Sequence, residues 1–237
     1  MRPPAADEVH LWTMSLDAPD AEDPWAVLSP DERDRAGRFL RPIHRDRYAA
    51  GRAWLRRVLA GYLGRSPSEI AFAYGQHEKP ALAGGPGWLD FNLAHSEEHA
   101  LLAVSPGFPV GVDIEVLRPV DEKLPQRFFA PGEVAALAAL PAAARQAAFF
   151  RCWTRKEAYL KALGSGLATP LDAFEVTLGP GEAARLLRVA GKPDEAAAWQ
   201  MLHWEPEGQL PRRMGAVAAR RRGWRLVEMG SGGAGPP

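Results

Sequence analysis

Residues 149–167 read FFRCWTRKEAYLKALGSGL, and this stretch decides the fold of the chain. Apolar side chains recur at Phe149, Trp153, Leu160 and Leu163, the spacing of one helical face. Gly164 and Gly166 supply a stop, with Pro170 shortly beyond. Glu157 and Lys161 stand one turn apart on the edge of the apolar stripe, and Lys156 projects into its middle. A carboxylate and an ammonium so placed can pair on a surface. They can also point together into a cleft, where the acid holds a cation and the ammonium meets the anion bridged to it. Lysine is rarely buried without a partner, so Lys156 reads either as a structural lysine or as a second phosphate contact.

The rest of the chain bounds what such a helix can serve. Its 237 residues have room for one large domain or two small ones. An apolar content of 46% and a charged content of 24% are those of a soluble globular protein. Lys plus Arg and Asp plus Glu both number 29, and a formal charge of zero argues against nonspecific nucleic-acid binding. The single cysteine, Cys152, excludes an intrachain disulfide and a cysteine-rich zinc site, reads as a buried thiol beside Trp153, and fits a reducing cytoplasm. No apolar run is long enough to span a membrane, and the opening MRPPAADE lacks the apolar core of a signal peptide. The closing GSGGAGPP, residues 230–237, reads as a disordered tail.

Working outward, residues 9–16 alternate as a strand, and Ser29-Pro30-Asp31-Glu32 is a helix start with a capping serine and acids in the first turn. A second helix spans residues 45–63. Basic residues outnumber acids between Arg33 and Arg65, which makes either a solvated face or a local anion-attracting surface. Residues 70–74 form a short strand, and the following QHEKP aims Lys79 from an extended position before proline. Strands follow at 91–93, 100–104 and 110–116, with a polar loop at 94–98. A helix covers 133–140, and strands cover 174–178, 199–204 and 215–219. Residues 181–189 read equally as a short helix or an irregular excursion. Phe128 and Phe129 offer a partner patch or ordinary core. The fold class is α+β.

Residues 111–116, GVDIEV, are the second informative stretch. Strand alternation turns Val112, Ile114 and Val116 to a core and puts Asp113 and Glu115 together on the opposite face, about 7 Å apart. Such a pair is either a solvated face or two ligands of one cation. His95 and His99 would suit a metal pair only on a helix, and no third histidine or cysteine lies nearby. Asp113, Glu115 and Glu157, with lysines close at hand, describe a hard-cation site that leaves room for phosphate oxygens, which is how magnesium is held.

GVDIE spaced against W-x-x-K-E-x-x-x-K-x-x-G-x-G-L resembles the signature pair of the 4′-phosphopantetheinyl transferases, in the larger, Sfp-type branch. SPDERDRAGRF, HEKP, FNLAHS and RFFAPGE appear in that family's order, and the resemblance runs from about Leu28 to Phe174. It implies two similar α+β subdomains related by a pseudo-twofold axis, each a small sheet packed with a long helix. The divisions would be 1–108, carrying contacts to coenzyme A, 109–229, carrying the metal and catalytic carboxylates, and the tail 230–237. It further implies transfer of the phosphopantetheine arm of coenzyme A to a serine of an apo acyl or peptidyl carrier protein, as in holo-[acyl-carrier-protein] synthase, with release of 3′,5′-ADP. Such carriers belong to fatty acid, polyketide or nonribosomal peptide synthesis.

By the same resemblance Asp113, Glu115 and Glu157 hold Mg²⁺, Lys161 contacts the phosphates, and Glu157 helps deprotonate the serine. His95, Lys79, Arg35 and Arg47 meet coenzyme A, with Lys156 a further candidate. A monomeric cytoplasmic enzyme is implied, with no nucleic-acid or membrane partner. Ala94, Glu78 and Glu32 depart from residues common in the family. Two other readings of the same residues are a coenzyme A-binding module without transfer activity and a Mg²⁺-dependent pyrophosphate hydrolase.

Overall fold

The computed structural model describes residues 1–18, 22–74, 79–164, 169–209 and 211–231. Its long helices are α2 (Pro42–Leu63) and α5 (Ala142–Leu163), each of 22 residues. Each stops at a glycine in the left-handed region, Gly64 at φ 62° and Gly164 at φ 67°, where a side chain would strain the backbone. A short α1 (Pro30–Gly37) precedes α2, and the Ser29 amide donates to Glu32 Oε2 at 3.0 Å as its sequence signature predicts. Two further short helices, α3 (Leu124–Phe128) and α4 (Pro131–Ala139), lead into α5.

The two halves repeat one order of elements. The first runs through strand β1 (Glu8–Ser15), helix α2, a small hairpin of β2 (Phe72–Tyr74) and β3 (Pro80–Leu82), then β4 (Asp90–Ser96) and β5 (His99–Ser105). The second runs through β6 (Val110–Val116), helix α5, a small hairpin of β7 (Phe174–Val176) and β8 (Leu186–Val189), then β9 (Gln200–Trp204) and β10 (Arg213–Ala219). The main sheets are ordered β1-β5-β4 and β6-β10-β9, so corresponding strands hold corresponding places. This is the mixed α+β class read from the sequence, with a small sheet and a long helix in each half.

A last strand, β11 (Arg225–Ser231), returns to the first sheet and pairs in parallel with β1, Val9 opposite Leu226. The division at residues 108 and 109 falls between β5 and β6 but leaves β11 on the wrong side, because its partner strand lies at the other end of the chain. Gly230 and Ser231, expected in the tail, belong to β11, and residues 232–237 lie outside those described. Residues 181–189 prove to contain β8. His95 and Ser96 belong to β4 instead of a polar loop, since the β4–β5 turn needs only Glu97 and Glu98, with Glu97 in the left-handed conformation at φ 51°.

Among the described residues there are four apolar clusters, of which the three larger ones position the site. Trp54, Leu55 and Leu59 of α2 cover one face of the first sheet at Phe91 and Leu102. Phe149, Tyr159 and Leu160 of α5 cover the second at Met214, Ala216 and Ala218, with Phe174 and Trp199 closing the cluster. Between them, Leu11, Leu101, Val112, Ile114 and Val217 form a shared cluster on the inner faces of both sheets. Alternation along β6 then sets the site: Val112 and Ile114 take the shared core, so Gly111, Asp113 and Glu115 point to the α5 side.

Candidate active site

Gly111 brings β6 onto α5. A Cβ at that position would stand 2.1 Å from the Ala158 carbonyl oxygen and 2.3 Å from the Ala162 amide nitrogen, so strand and helix backbones touch where only glycine fits. Two residues on, Asp113 enters the interface and is 6% exposed. Its Oδ1 accepts from Lys161 Nζ at 2.6 Å, while Oδ2 is buried with no hydrogen-bond partner. Burial pushes the Asp113 carboxyl up to about 7; Lys161 opposes this, and the charges of Glu157 and Glu115 add to it. Glu157 is likewise raised, first by burial, with Lys161 opposing and Glu115 reinforcing. The charges of Glu115 and Glu157 are thus felt at Asp113, and that of Glu115 at Glu157. Lys161 spends its charge across the interface on Asp113, the most deeply buried of the three.

Glu115 is held differently. Its Oε2 accepts from Ser96 Oγ on β4 at 2.8 Å and from Arg118 Nη1 at 2.8 Å. Among the described residues no three His, Cys, Asp or Glu groups are gathered tightly enough to hold a metal ion. The donor set still suits a hard divalent cation: carboxylates only, and a buried Asp113 oxygen with an unused lone pair.

Of the residues expected to meet coenzyme A, His95 lies within the electrostatic reach of Lys161 and Glu115. It lies on β4, and its pKa is lowered by partial loss of hydration and then by the positive charges of Lys161 and Arg47, with Glu115 opposing. Lys79 is fixed at the opposite end of β6 from Glu115, donating to the Val110 carbonyl at 3.1 Å with Asp90 Oδ1 at 3.7 Å. Burial lowers its pKa, and Asp90 acts against that. Its neighbours His77 and Glu78 lie outside the described residues. Arg35 stands over the Tyr48 ring at 5.9 Å and lines a surface hollow with Asp31, Arg38 and Phe39. Arg47 is committed to acids: both oxygens of Asp17 at 2.7 Å, Glu97 at 3.2 Å and Glu98 at 3.6 Å. A phosphate would have to displace Asp17 to use it.

Lys156 is not a phosphate contact. Its ammonium is fully buried, pairs with Glu133 Oε2 at 2.7 Å, and donates to the carbonyls of Leu171 at 2.7 Å and Phe174 at 2.6 Å. It ties α5 to α4 and β7 inside the second core, and all three of its donors are used. Cys152 is buried there as well. Phe129 is buried in that core and Phe128 packs against it, so the pair is not a free patch.

Sequence reasoning passed over the seam between the two sheets. Asn92 Oδ1 accepts from the Val112 amide at 2.8 Å, and Ser96 Oγ accepts from the Val116 amide at 3.1 Å. Two side chains of β4 thus replace a backbone ladder against β6. Period-two alternation across FNLAHS would have placed Asn92 and Ser96 on one face, had the stretch been read as a single strand.

The halves, the seam and the acid–lysine cluster are accompanied by a match to one family: the 4′-phosphopantetheinyl transferase superfamily model covers residues 109–217, from the foot of β6 into β10. Among individual relatives, the 4′-phosphopantetheinyl transferase HetI of Nostoc sp. is 44% identical over 225 residues, spanning 92% of this chain and 90% of that protein. The 4′-phosphopantetheinyl transferase Sfp of Bacillus subtilis is 30% identical over 153 residues, spanning 65% of this chain and 67% of that protein. The chain belongs to the 4′-phosphopantetheinyl transferase family, whose members take coenzyme A as substrate.

Proposed function

We propose that this protein moves 4′-phosphopantetheine from coenzyme A to a serine hydroxyl of an apo acyl or peptidyl carrier domain, the holo-[acyl-carrier-protein] synthase reaction, releasing 3′,5′-ADP. The observation that carries this reading is the pairing of Lys161 with the buried Asp113 at 2.6 Å, inside the fields of Glu115 and Glu157.

Asp113, Glu115 and Glu157 would hold Mg²⁺, which when bound neutralises charge on the phosphate oxygens. The remaining work falls to side chains. Lys161 and His95 line the cleft where the pyrophosphate would sit, with Lys79 toward one end of β6 and Arg35 on α1 as further contacts to coenzyme A. Glu157, raised by burial into a better proton acceptor, takes the serine proton. The serine oxygen forms its bond to the phosphorus that carries the pantetheine arm, and the bond from that phosphorus to the oxygen of the ADP portion breaks. The electron pair leaves on that oxygen, beside Lys161. Positioning and charge neutralisation suffice for this chemistry. The single buried thiol supports a cytoplasmic setting, and the repeated element order within one chain supports a monomer whose halves, related by a pseudo-twofold axis, do the work of two subunits.

The test is the intact mass of an apo carrier after incubation with coenzyme A and Mg²⁺. Gain of one phosphopantetheine arm is the expected result. An unmodified carrier refutes the reading, and release of phosphopantetheine into water without a carrier assigns a hydrolase instead.

A further inference from the structure

Every hydrogen bond to the Glu115 carboxylate among the described residues falls on one oxygen. Oε2 accepts from Ser96 Oγ at 2.8 Å and from Arg118 Nη1 at 2.8 Å. The serine is buried, and its hydroxyl oxygen also accepts from the Val116 amide at 3.1 Å. With one lone pair taken by that amide, the single Ser96 proton is directed at the carboxylate. Arg118 reaches the same oxygen from a half-exposed position, where its Nη1 also donates to the Val116 carbonyl at 3.2 Å, so Ser96 is the buried one of the two donors. Glu115 is half-buried, as Glu157 is, and as a long side chain it has three torsions to fix before it can serve as a ligand.

We propose that Ser96 is the positioning residue for Glu115: by holding Oε2 it presents Oε1 to the cleft shared with Asp113 and Glu157. The inference rests on the metal role given to these acids under the proposed function. Ser96 touches neither metal nor substrate; it acts through Glu115 alone. Asn92 makes the same kind of bond four residues back along β4, to the Val112 amide at 2.8 Å, and donates or accepts no hydrogen bond with an acid of the cluster among the described residues. The two residues therefore separate what the β4–β6 seam does for stability from what it does for the carboxylate.

The experiment reads Mn²⁺ binding, by the loss of the free-ion electron paramagnetic resonance signal, to the full chain with coenzyme A and no carrier. Wild type, S96A, S96T, N92A and D113N are compared, with melting temperatures taken on the same samples. Groups that orient metal ligands typically contribute about 10- to 100-fold in affinity. S96A is expected to weaken Mn²⁺ by about 10-fold, near the low end because Arg118 persists. S96T keeps the hydroxyl and should stay within about 2-fold of wild type. N92A should lower the melting temperature while leaving Mn²⁺ affinity in place. Should S96A not fold, S96C, of similar volume and a poor donor, takes its place with the same expectation. Unchanged affinity in S96A, or equal weakening in N92A and S96A, overturns the inference. Binding by D113N as tight as wild type overturns the metal site itself, a different failure that the same titration identifies.

Discussion

Replacing Gly111 by alanine adds one methyl group at the tightest backbone contact of the site. The new carbon would lie 2.1 Å from the Ala158 oxygen, 2.3 Å from the Ala162 nitrogen and 2.9 Å from the Lys161 carbonyl carbon. All three are backbone atoms, so no rotamer change relieves them. To reach an ordinary contact of 3.4 Å, α5 must retreat from β6 by about 1.3 Å. Overpacking of this kind typically costs about 1–3 kcal/mol, and the upper end applies because the clash meets a helix backbone. For a chain of this size about 3 kcal/mol corresponds to a fall in melting temperature of about 6–12 °C. The functional loss should be larger. A retreat of that size stretches the Lys161–Asp113 bond from 2.6 Å and carries Glu157 with it, and misplacement by about 1 Å can cost about 100-fold in rate. Calorimetry and the intact-mass assay of carrier loading, run on the same preparation, measure the two effects. A G111A protein that melts and loads carrier as the parent does would show that the β6–α5 contact does not set the site.

Replacing Glu157 by glutamine keeps its size and removes the proton acceptor; carrier loading should slow by about 100- to 10,000-fold with little change in melting temperature, and a parental rate would clear Glu157 of the role. Lys156→Ala leaves Glu133 buried without its cation, a loss of about 3–5 kcal/mol in urea unfolding, and the gentler K156M/E133Q pair should load carrier with an unaltered KM for coenzyme A. A raised KM in that pair would return Lys156 to the phosphate site. His10 is fully buried, bonds Tyr62 Oη through Nδ1 at 2.6 Å and faces Glu8 Oε2 at 3.4 Å. Burial holds its pKa below the ordinary 6.5, helped by Arg2 and Arg225 and opposed by Glu8. The unfolded chain takes up the proton that the folded one refuses, so this contribution is whole above pH 6.5 and declines as pH falls below it, by at most about 1.4 kcal/mol per pH unit. Chemical unfolding at pH 7.5 and 5.5 should show a smaller difference for H10Q than for wild type; equal differences would contradict the burial effect.

Much of the fold could be read from local pattern. The caps at Ser29 and Gly164, the stripe of Phe149, Trp153 and Leu160, and the alternation of β6 each depend on residues within a turn or a few strand positions. The limits of that reading have equally local causes. Pattern placed the helix start at Phe149, but α5 begins at Ala142 because alanine is helical without marking a face. Leu163, counted with the core, is 38% exposed, since the helix ends beyond the sheet it covers. His95 and Ser96 read as loop by pattern because polar residues in a strand that meets another sheet at a seam break the usual apolar signature.

Local pattern was enough to single out candidate residues: the alternation GVDIEV commits Asp113 and Glu115 to one side of a strand, and helical period sets Glu157 and Lys161 one turn apart. Their partners came from the folding of the whole chain. Lys161 turns to Asp113, Lys156 goes inward to Glu133, Arg47 is taken up by Asp17, and β11 comes back to β1. Periodicity is a property of neighbouring residues, whereas the partner of a buried charge is set by where the folded chain leaves the nearest counter-charge out of water, and that place lies tens of residues away.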